Sequence, residues 1–314
     1  MQTVEAPDVE RAPREGRSER VKGAACALTA YCCWGVFPIY FKAVKQVSAP
    51  VVLCHRILWS AVVMTVVVGA TGGAGPFVRA LRSKKVLVTL AATTLLIACN
   101  WLVYIWAVAQ GHILQASLGY FINPLMSVAL GAALLRERLS RMQWVAVALA
   151  AGGVVAQTLQ AGVLPWISVV LAATFALYGL LRKTVAIDAA GGLLAETLML
   201  VIPALAWVVA SAEPWGPAVL GSRGPVLLLA AGPITALPLL AFSLGARRLP
   251  LTAIGFLQYV SPSLQFLLGV LVYGEAFGGA QVVTFGLIWT AVVVFVADAA
   301  QRARVGRGAG QAVV

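Results

Sequence analysis

The chain has 314 residues, of which 61% are hydrophobic and 11% are charged, and its mean hydropathy is +0.92. An ordinary soluble domain has about 25% charged residues, so this composition excludes a soluble globular protein and indicates an all-α integral membrane protein. The net charge of +12 does not indicate nucleic-acid binding, because the basic residues fall in small groups between apolar segments and form no continuous face.

The chain begins and ends with charged tails on either side of ten apolar segments. Residues 1–21 mix Arg, Glu and Pro without apolar periodicity, which predicts a disordered tail, and residues 300–314 form a second, basic tail. A helix needs about 20 apolar residues to cross a bilayer. The predicted spans are residues 23–41, 50–70, 86–108, 113–135, 142–160, 164–181, 190–211, 225–246, 251–273 and 280–299, with only a tight turn between the third and fourth.

The distribution of Lys and Arg predicts the orientation. If the N-terminus lies in the cytoplasm, the positive charges collect in the cytoplasmic segments, as the positive-inside rule requires. Both termini are then cytoplasmic, and the protein is a multi-pass component of the plasma (inner) membrane. The exceptions are four residues on the outer side or within a span: Lys42, Lys45, Arg56 and Arg223.

Two matched segments predict an internal repeat. Shifting the sequence by 138 residues aligns the third to fifth spans with the eighth to tenth without a gap. Five is an odd number, so the second copy enters the membrane from the opposite side, which is the inverted repeat of many secondary transporters. A chance alignment of abundant Gly, Val and Leu is the alternative. The aligned pairs are Pro124 with Pro262, Gly131 with Gly269, Glu137 with Glu275, and Gln143 with Gln281.

The repeat divides the chain into residues 22–161 and 162–299, each with five predicted spans. It also accounts for a difference in charge between the two copies. Arginines flank Glu137, whose connection is predicted to be cytoplasmic, whereas none lies beside Glu275. The connection at Glu275 is predicted to be outside, where arginine would oppose the orientation.

Polar residues recur at matched depths in the fourth and ninth spans. The spacing i, i+3 and i+7 places them on one face of a helix. Because unsatisfied polar groups are costly in lipid, we expect the two stripes to face each other or a shared cavity. Hydrogen bonding between helices is the alternative role. The stripes are Tyr120, Asn123 and Ser127, and Gln258, Ser261 and Gln265; Pro124 and Pro262 predict kinks within them.

Aromatic and amide residues in the first and third spans suit a cavity for a flat or amphipathic organic solute. Trp34 is positioned to stack on such a solute, and Asn100 and Tyr104 lie one helical turn apart. Packing at the membrane interface is the alternative for Trp34. It is the favoured interpretation for Trp101 and Trp106.

Charged residues inside the spans indicate functional positions, since Arg or Asp at a helix centre costs about 2.5–3.5 kcal/mol even on insertion scales. His55 and Arg56 lie near the outer end of the second span, where they could orient a polar or anionic substrate group. Glu196 lies near the inner end of the seventh, where it could take up a proton or pair with Lys183. Snorkelling of these side chains to the nearest interface is the alternative.

The chain lacks the common signatures of catalysis. It contains no His-Glu-x-x-His, Gly-x-Ser-x-Gly, phosphate-loop or dinucleotide motif, and its five cysteines lie in apolar segments without Cys-x-x-Cys spacing. We therefore expect neither catalytic residues, nor a cofactor, nor a metal site.

Five segments of the chain are distinctive: "YCCWGVFPIYFK", "HRILWS", "NWLVYIWAV", "ASLGYFINPLMSVALGAALLRERLSRMQW" and "GFLQYVSPSLQFLLGVLVYGE". They resemble the RarD-type permeases of the EamA-domain family, in the drug/metabolite transporter superfamily. The resemblance covers residues from about 22 to 298. It implies ten helices in two inverted EamA repeats, a central substrate cavity and an inner-membrane location.

These observations favour a secondary transporter that moves a small organic solute, a drug or metabolite, outward by alternating access. Glu196 is the candidate for proton coupling or an inner gate. A membrane-embedded lipid-modifying enzyme and a passive channel are the alternatives. The substrate-binding candidates are Trp34, His55, Arg56, Asn100, Tyr104, Tyr120, Asn123, Gln258 and Ser261.

Overall fold

A computed structural model describes residues 11–135, 139–211, 217–246, 248–249 and 257–311. Within these ranges the chain forms α-helices joined by short connections, with a 3₁₀ turn at Gly221–Arg223 and a π-helical turn at Leu268–Val272. The helices are α1 (Arg11–Gly35), α2 (Phe37–Ala43), α3 (Ala49–Ala70), α4 (Ala74–Leu81), α5 (Lys84–Gln110), α6 (Ile113–Leu135), α7 (Arg141–Ala161), α8 (Trp166–Thr184), α9 (Ala189–Ala210), α10 (Pro217–Leu220), α11 (Gly224–Ala246), α12 (Val260–Leu267) and α13 (Gly279–Gln311).

The described chain contains seven helical segments that are long and apolar enough to cross a membrane. Two further apolar helices are shorter, at Trp166–Arg182 and Val260–Val272. A helix lies at each predicted span, although residues 251–256 of the ninth are outside the described ranges. The fold is thus an all-helical membrane protein, and the number of ten spans stays a prediction.

The turn between α5 and α6 is as tight as the sequence suggests. Only Gly111 and His112 separate the two helices. Gly111 has φ 83°, in the left-handed region that glycine adopts without a steric penalty. The backbone N–H of His112 then donates to the carbonyl of Ala107 at 2.8 Å, which closes the end of α5.

The first predicted span is two helices rather than one. α1 ends at Gly35 and α2 begins at Phe37. Pro38 has no backbone N–H, so it cannot donate to the carbonyl of Trp34 as the next turn of a helix would. The side chain of Gln265 donates to that carbonyl instead, with Nε2 at 3.1 Å from the Trp34 oxygen. The break is therefore stabilised from a distant part of the chain.

Helices also extend into both predicted tails. α1 begins at Arg11, so residues 11–21 of the tail predicted to be disordered are helical, and the basic tail predicted from residue 300 continues α13 as far as Gln311. Charged pairs at helical spacing support these extensions, since side chains three or four residues apart are neighbours on a helix. One such pair is Glu19 with Lys22 at 2.9 Å, and another is Asp298 with Arg302 at 3.0 Å.

The helices pack as pairs drawn from the two halves of the chain. α1 packs on α11, α5 on α8, α3 on α9, α7 on α13 and α6 on α12. Small residues permit the closest approach, as is usual between helices in lipid. A Cβ added to Gly119 on α6 would lie 2.8 Å from the carbonyl oxygen of Ser168 on α8. Each half of the chain therefore supplies the packing surface of the other.

Glu275 caps helix α6 from across the structure. Its Oε1 accepts from the N–H of Ile113 and its Oε2 from the N–H of Leu114, both at 2.8 Å. The first N–H groups of a helix have no partner within the helix, and a carboxylate there is also favoured by the helix dipole. The matching residue, Glu137, lies outside the described residues.

Replacing Glu275 with alanine should lower the free energy of unfolding by about 1–2 kcal/mol, because two N–H groups at the start of α6 lose their acceptors. Glu275→Gln, which keeps one acceptor oxygen, should have a smaller effect. Thermal unfolding of the detergent-purified protein measures both. Thr290→Ala is the control, since that exposed hydroxyl bonds only within its own helix, and its effect should stay within about 0.5 kcal/mol.

Candidate functional site

A cavity of about 490 Å³ lies inside the helical bundle. Its walls come from both halves of the chain, and they are mostly aromatic and apolar with a few polar groups among them. This combination is typical of a site for a small organic molecule. Seven of the residues predicted to bind substrate line it: Trp34, Arg56, Asn100, Tyr104, Tyr120, Gln258 and Ser261.

Two predicted binding residues and part of one polar stripe do not line the cavity. His55 and Asn123 are buried in the helical bundle but lie behind the described cavity wall, and Ser127 is exposed. Of the stripe in the fourth span, Tyr120 lines the cavity and the other two residues do not. α6 packs closely against α8, so part of its surface is used for contact between helices.

The stripe of the ninth span does face the cavity. Gln258, Ser261 and Gln265 all line it. The Nε2 atom of Gln265 donates to the Trp34 carbonyl and also lies 3.3 Å from the Oγ of Ser261. Gln265 thus stabilises the break between α1 and α2. Gln258 makes no hydrogen bond to the residues that the structure describes.

Asn100 joins three helices at the cavity wall. Its Nδ2 donates to the carbonyl of Leu171 at 3.0 Å and to the Oγ1 of Thr174 at 2.9 Å. Its Oδ1 accepts from the hydroxyl of Tyr120 at 3.3 Å. Because these bonds use both donors of the amide and one acceptor position, Asn100 positions α8 and Tyr120 rather than offering its donors to a ligand.

Arg56 places a positive charge in the cavity wall, with only 5% of the residue exposed. Its Nε donates to the Oγ1 of Thr235 at 2.8 Å. Its guanidinium carbon lies 4.0 Å from the centre of the Trp101 ring and also faces the ring of Phe37 at 5.7 Å. Within the described residues no carboxylate lies within ion-pair distance of Arg56.

Several lining residues were missed from the sequence, chiefly aromatic ones. Trp101 was interpreted as an interface residue, but it is buried in the cavity wall beneath Arg56, and that interpretation was wrong. Trp106, by contrast, is more than one-third exposed and packs on Trp166. Their positions, one and six residues after Asn100, give no indication of which tryptophan points inward. The other aromatic residues missed are Tyr31, Phe37, Phe175, Tyr178 and Phe242.

Glu196 forms a buried polar cluster at one end of the cavity. It is 1% exposed, and its carboxylate accepts from the hydroxyl of Thr93 at 2.7 Å and from that of Tyr178 at 3.1 Å. Its ion-pair partner is Arg182, with Nε at 3.9 Å from Oε1. The expected partner was the adjacent Lys183, whose side chain lies outside the described part of the structure.

Arg182 connects this cluster to the cavity and to the start of α9. It lines the cavity, and its Nη2 donates to the carbonyl of Asp188 at 3.2 Å. The absence of a side chain at Gly192 makes room for it, since an added Cβ would overlap the Arg182 guanidinium. Ile187, in the connection predicted to be cytoplasmic, and Ala190, in the first turn of α9, also line the cavity.

The charge of the cavity wall is positive. Arg56 and Arg182 line it, and no acidic side chain does so within the described ranges. Glu196 lies just behind the wall and is already paired with Arg182. In the same ranges no three His, Cys, Asp or Glu side chains are grouped as a metal would require.

Apolar helices of membrane-spanning length around an internal cavity define the class: this is a multi-pass membrane protein that can accommodate a small solute. The match to known proteins is consistent with this class. The chain matches the model of the EamA-like transporter family over residues 21–159. A solved structure of 20% identity matches with a TM-score of 0.57, over 89% of this chain and 98% of that one, which shows a shared fold.

Bacterial relatives identify the family. The chain is 44% identical to an uncharacterized transporter of Vibrio cholerae, over 90% of this chain and 96% of that protein. It is 43% identical to protein RarD of Escherichia coli K12, over 88% of this chain and 95% of that protein. It is 32% identical to the chloramphenicol-sensitive protein RarD of Pseudomonas aeruginosa, over 90% of this chain and 96% of that protein. The chain belongs to the EamA-like transporter family as a RarD-type permease, and it is a membrane transporter.

A Gly192→Ala change should displace the Arg182 guanidinium from Glu196 and lower the free energy of unfolding by about 1–3 kcal/mol, because the buried carboxylate loses its charged partner. Thermal unfolding in detergent measures this loss. The matched control is Gly286→Ala, where a Cβ would meet nothing within 4 Å. Alanine favours a helix over glycine by up to about 1 kcal/mol, so the control should be neutral or slightly stabilising. Equal effects of the two changes would contradict the role assigned to Gly192.

Proposed function

We propose that this permease is a secondary transporter that binds a small organic solute in the central cavity and exports it by alternating access. The two moving units are inverted repeats of five spans, residues 22–161 and 162–299, and both termini are cytoplasmic. The observation that carries the proposal is the cavity itself, which has residues of both repeats in its walls. Transporters of inverted topology bind substrate near the membrane midplane, where their repeats meet.

Helix packing supports the inverted repeat. The repeat makes α1 equivalent to α8 and α5 equivalent to α11. The packing of α1 on α11 then has its counterpart in the packing of α8 on α5. In the same way, α6 packs on α8 as α12 packs on α1, and α3 packs on α11 as α9 packs on α5. The pairs α3 with α9, α6 with α12 and α7 with α13 each join two equivalent helices. A two-fold axis between the halves would produce this pattern, and two unrelated halves would not.

Equivalent caps at α7 and α13 give a second line of support. The Oε1 of Gln143 accepts from the N–H of Ser140 at 2.9 Å. At the positions 138 residues later, the Oε1 of Gln281 accepts from the N–H of Gly278 at 3.1 Å. The two glutamines occupy matching positions because each caps the N-terminus of a helix that begins at the same place in its repeat.

Contacts at the outer side indicate which way the cavity faces. Near Glu275, the ammonium of Lys42 lies 5.3 Å from the ring centre of Tyr273, and the hydroxyl of Tyr40 donates to the carbonyl of Leu227 at 3.0 Å. Since Ile187 lines the opposite end, we assign this conformation as closed to the outside and directed toward the cytoplasm. Opening to the outside would then separate the Glu275 carboxylate from the start of α6.

The polar residues take distinct roles in this proposal. Trp34 and the tyrosines stack on the solute, while Gln258 and Ser261 bind its polar groups. His55 and Asn123, which lie behind the wall, position the helices rather than touching the solute. Glu196 is the candidate for coupling, because a proton on its carboxylate would weaken the attraction to Arg182 and release the end of α9.

Labelling from the two sides of the membrane tests the inverted repeat. Arg141 and Gly279 are exposed, and they are equivalent under the 138-residue shift. In a background without the native cysteines, Arg141→Cys should react with an impermeant thiol reagent only from the cytoplasmic side. Gly279→Cys should react only from the outer side. Reaction of both from the same side would contradict the inverted topology.

Flux into proteoliposomes tests the carrier mechanism and its coupling. We expect flux to saturate with solute concentration, which separates a carrier from a passive channel, and to respond to an imposed pH gradient. Glu196→Gln keeps one acceptor oxygen for the cluster but cannot change its charge, so it should retain solute binding and lose most of the response to the gradient. A wild-type flux that ignores the gradient would rule out proton coupling at Glu196.

A further inference from the structure

We propose that the transported solute is a small aromatic organic anion with one carboxylate, and that Arg56 binds this carboxylate. The inference rests on the proposed function and specifies its substrate class. It follows from a charge that the described protein leaves without a counter-ion, in a cavity whose walls are otherwise suited to a flat ring.

The charge of Arg56 is not balanced by its surroundings. Moving an ion into a protein interior carries a large desolvation cost even after relaxation. Contact with aromatic rings and the hydrogen bond to Thr235 return part of this cost. With no carboxylate beside it in the described structure, the guanidinium has no group that neutralises its charge. A bound anion would supply the missing partner.

The contacts of Arg56 leave its two Nη groups available to bind a ligand. Thr235 takes the Nε hydrogen, and the Oγ1 of Thr235 is itself fixed by donating to the carbonyl of Ala231 at 2.8 Å. Trp101 covers one face of the guanidinium plane. Neither contact uses the two Nη groups, which form a fork that matches the two oxygens of a carboxylate.

The surrounding walls favour an aromatic body for this anion. The rings of Tyr104 and Tyr120 lie 5.6 Å apart beside Arg56 on the cavity wall. The hydroxyl of Tyr104 is buried and has no hydrogen-bond partner among the described residues. It is therefore available as a second donor to the carboxylate after a small rotation. Trp34 and Phe242, with ring centres 5.7 Å apart, provide a further aromatic surface.

The same walls disfavour zwitterions and cations. The described lining offers an ammonium group aromatic faces but no acid, and its two arginines repel a cation. The nearest carboxylate, Glu196, already accepts from Thr93 and Tyr178 and is paired with Arg182. Leaving an ammonium unpaired in this positive cavity would cost more than the carboxylate gains at Arg56. An acid without an amine is the better match.

Binding to the detergent-purified wild-type chain tests this inference without any mutation. Isothermal titration calorimetry would compare 3-phenylpropanoate with its primary amide, with phenethylamine, and with phenylalanine as the zwitterion. These probes share an aromatic ring and differ in charge. We expect the carboxylate to bind at least about tenfold more tightly than the amide, because bonds to a charged group are stronger than neutral ones. Equal or tighter binding of the amide, amine or zwitterion would overturn the assignment.

Two variants assign the effect to Arg56. Arg56→Gln should reduce the preference for the acid over the amide to about twofold or less, while amide binding changes little. Arg56→Lys keeps the charge but not the fork, so it should retain part of the preference. Thr235→Val removes only the positioning bond, and we expect an intermediate loss. An unchanged preference in the folded Arg56→Gln protein would place the anion elsewhere.

A proteoliposome assay separates this inference from the proposed function. If the amide crosses the membrane with saturation but the acid neither binds nor crosses, the anion assignment fails and the transporter remains. If the acid binds with the expected preference but no probe crosses in either direction, the proposed transport mechanism fails and the anion site remains. The expected result is saturable flux of the acid that Arg56→Gln abolishes.

Discussion

Every backbone polar group in the bilayer must find a partner within the protein, and this constraint organises the structure around the cavity. The interruptions in the spans create unpaired carbonyls and N–H groups, and side chains from the other half of the chain satisfy them. Gln265 bonds the Trp34 carbonyl left free by Pro38, and Ser117 donates to the carbonyl of Pro262 at 2.7 Å. Glu275 serves the start of α6 in the same way. The irregular backbone needed to shape a cavity is thereby held by bonds between the two halves.

The two buried charges of the site differ in how they are compensated. Glu196 has two hydroxyl donors and an arginine, so its charge is stabilised in the described conformation by the protein itself. Arg56 has aromatic faces and one hydroxyl, which orient the guanidinium without neutralising it. A compensated charge can act as a switch when its protonation changes, whereas an uncompensated one attracts a ligand. This difference is the physical basis for assigning coupling to Glu196 and recognition to Arg56.

Much of the candidate cavity could be predicted, because charged and polar residues inside apolar spans are costly in lipid. Such residues therefore tend to face the interior of the protein. Arg56, Asn100, Tyr104 and Gln258 were found in this way, and all line the cavity. Trp101 could not be found, since a tryptophan in a span has the same appearance in the sequence whether it faces lipid or a cavity. The role of Asn100 was also different from the predicted one, because the sequence does not show that Thr174 and Leu171 approach its amide.

The sequence by itself determined the membrane class, the helical elements, the tight turn at Gly111 and the matched register of the two halves. These features follow from composition, apolar length and local turn chemistry, which act between residues close in the chain. Only the tertiary structure decided that Gln265 repairs the break before Phe37, that Arg182 pairs with Glu196, and that Arg56 rests on Trp101. Those contacts join residues far apart in the chain, and their geometry depends on how the helices rotate and kink as they pack.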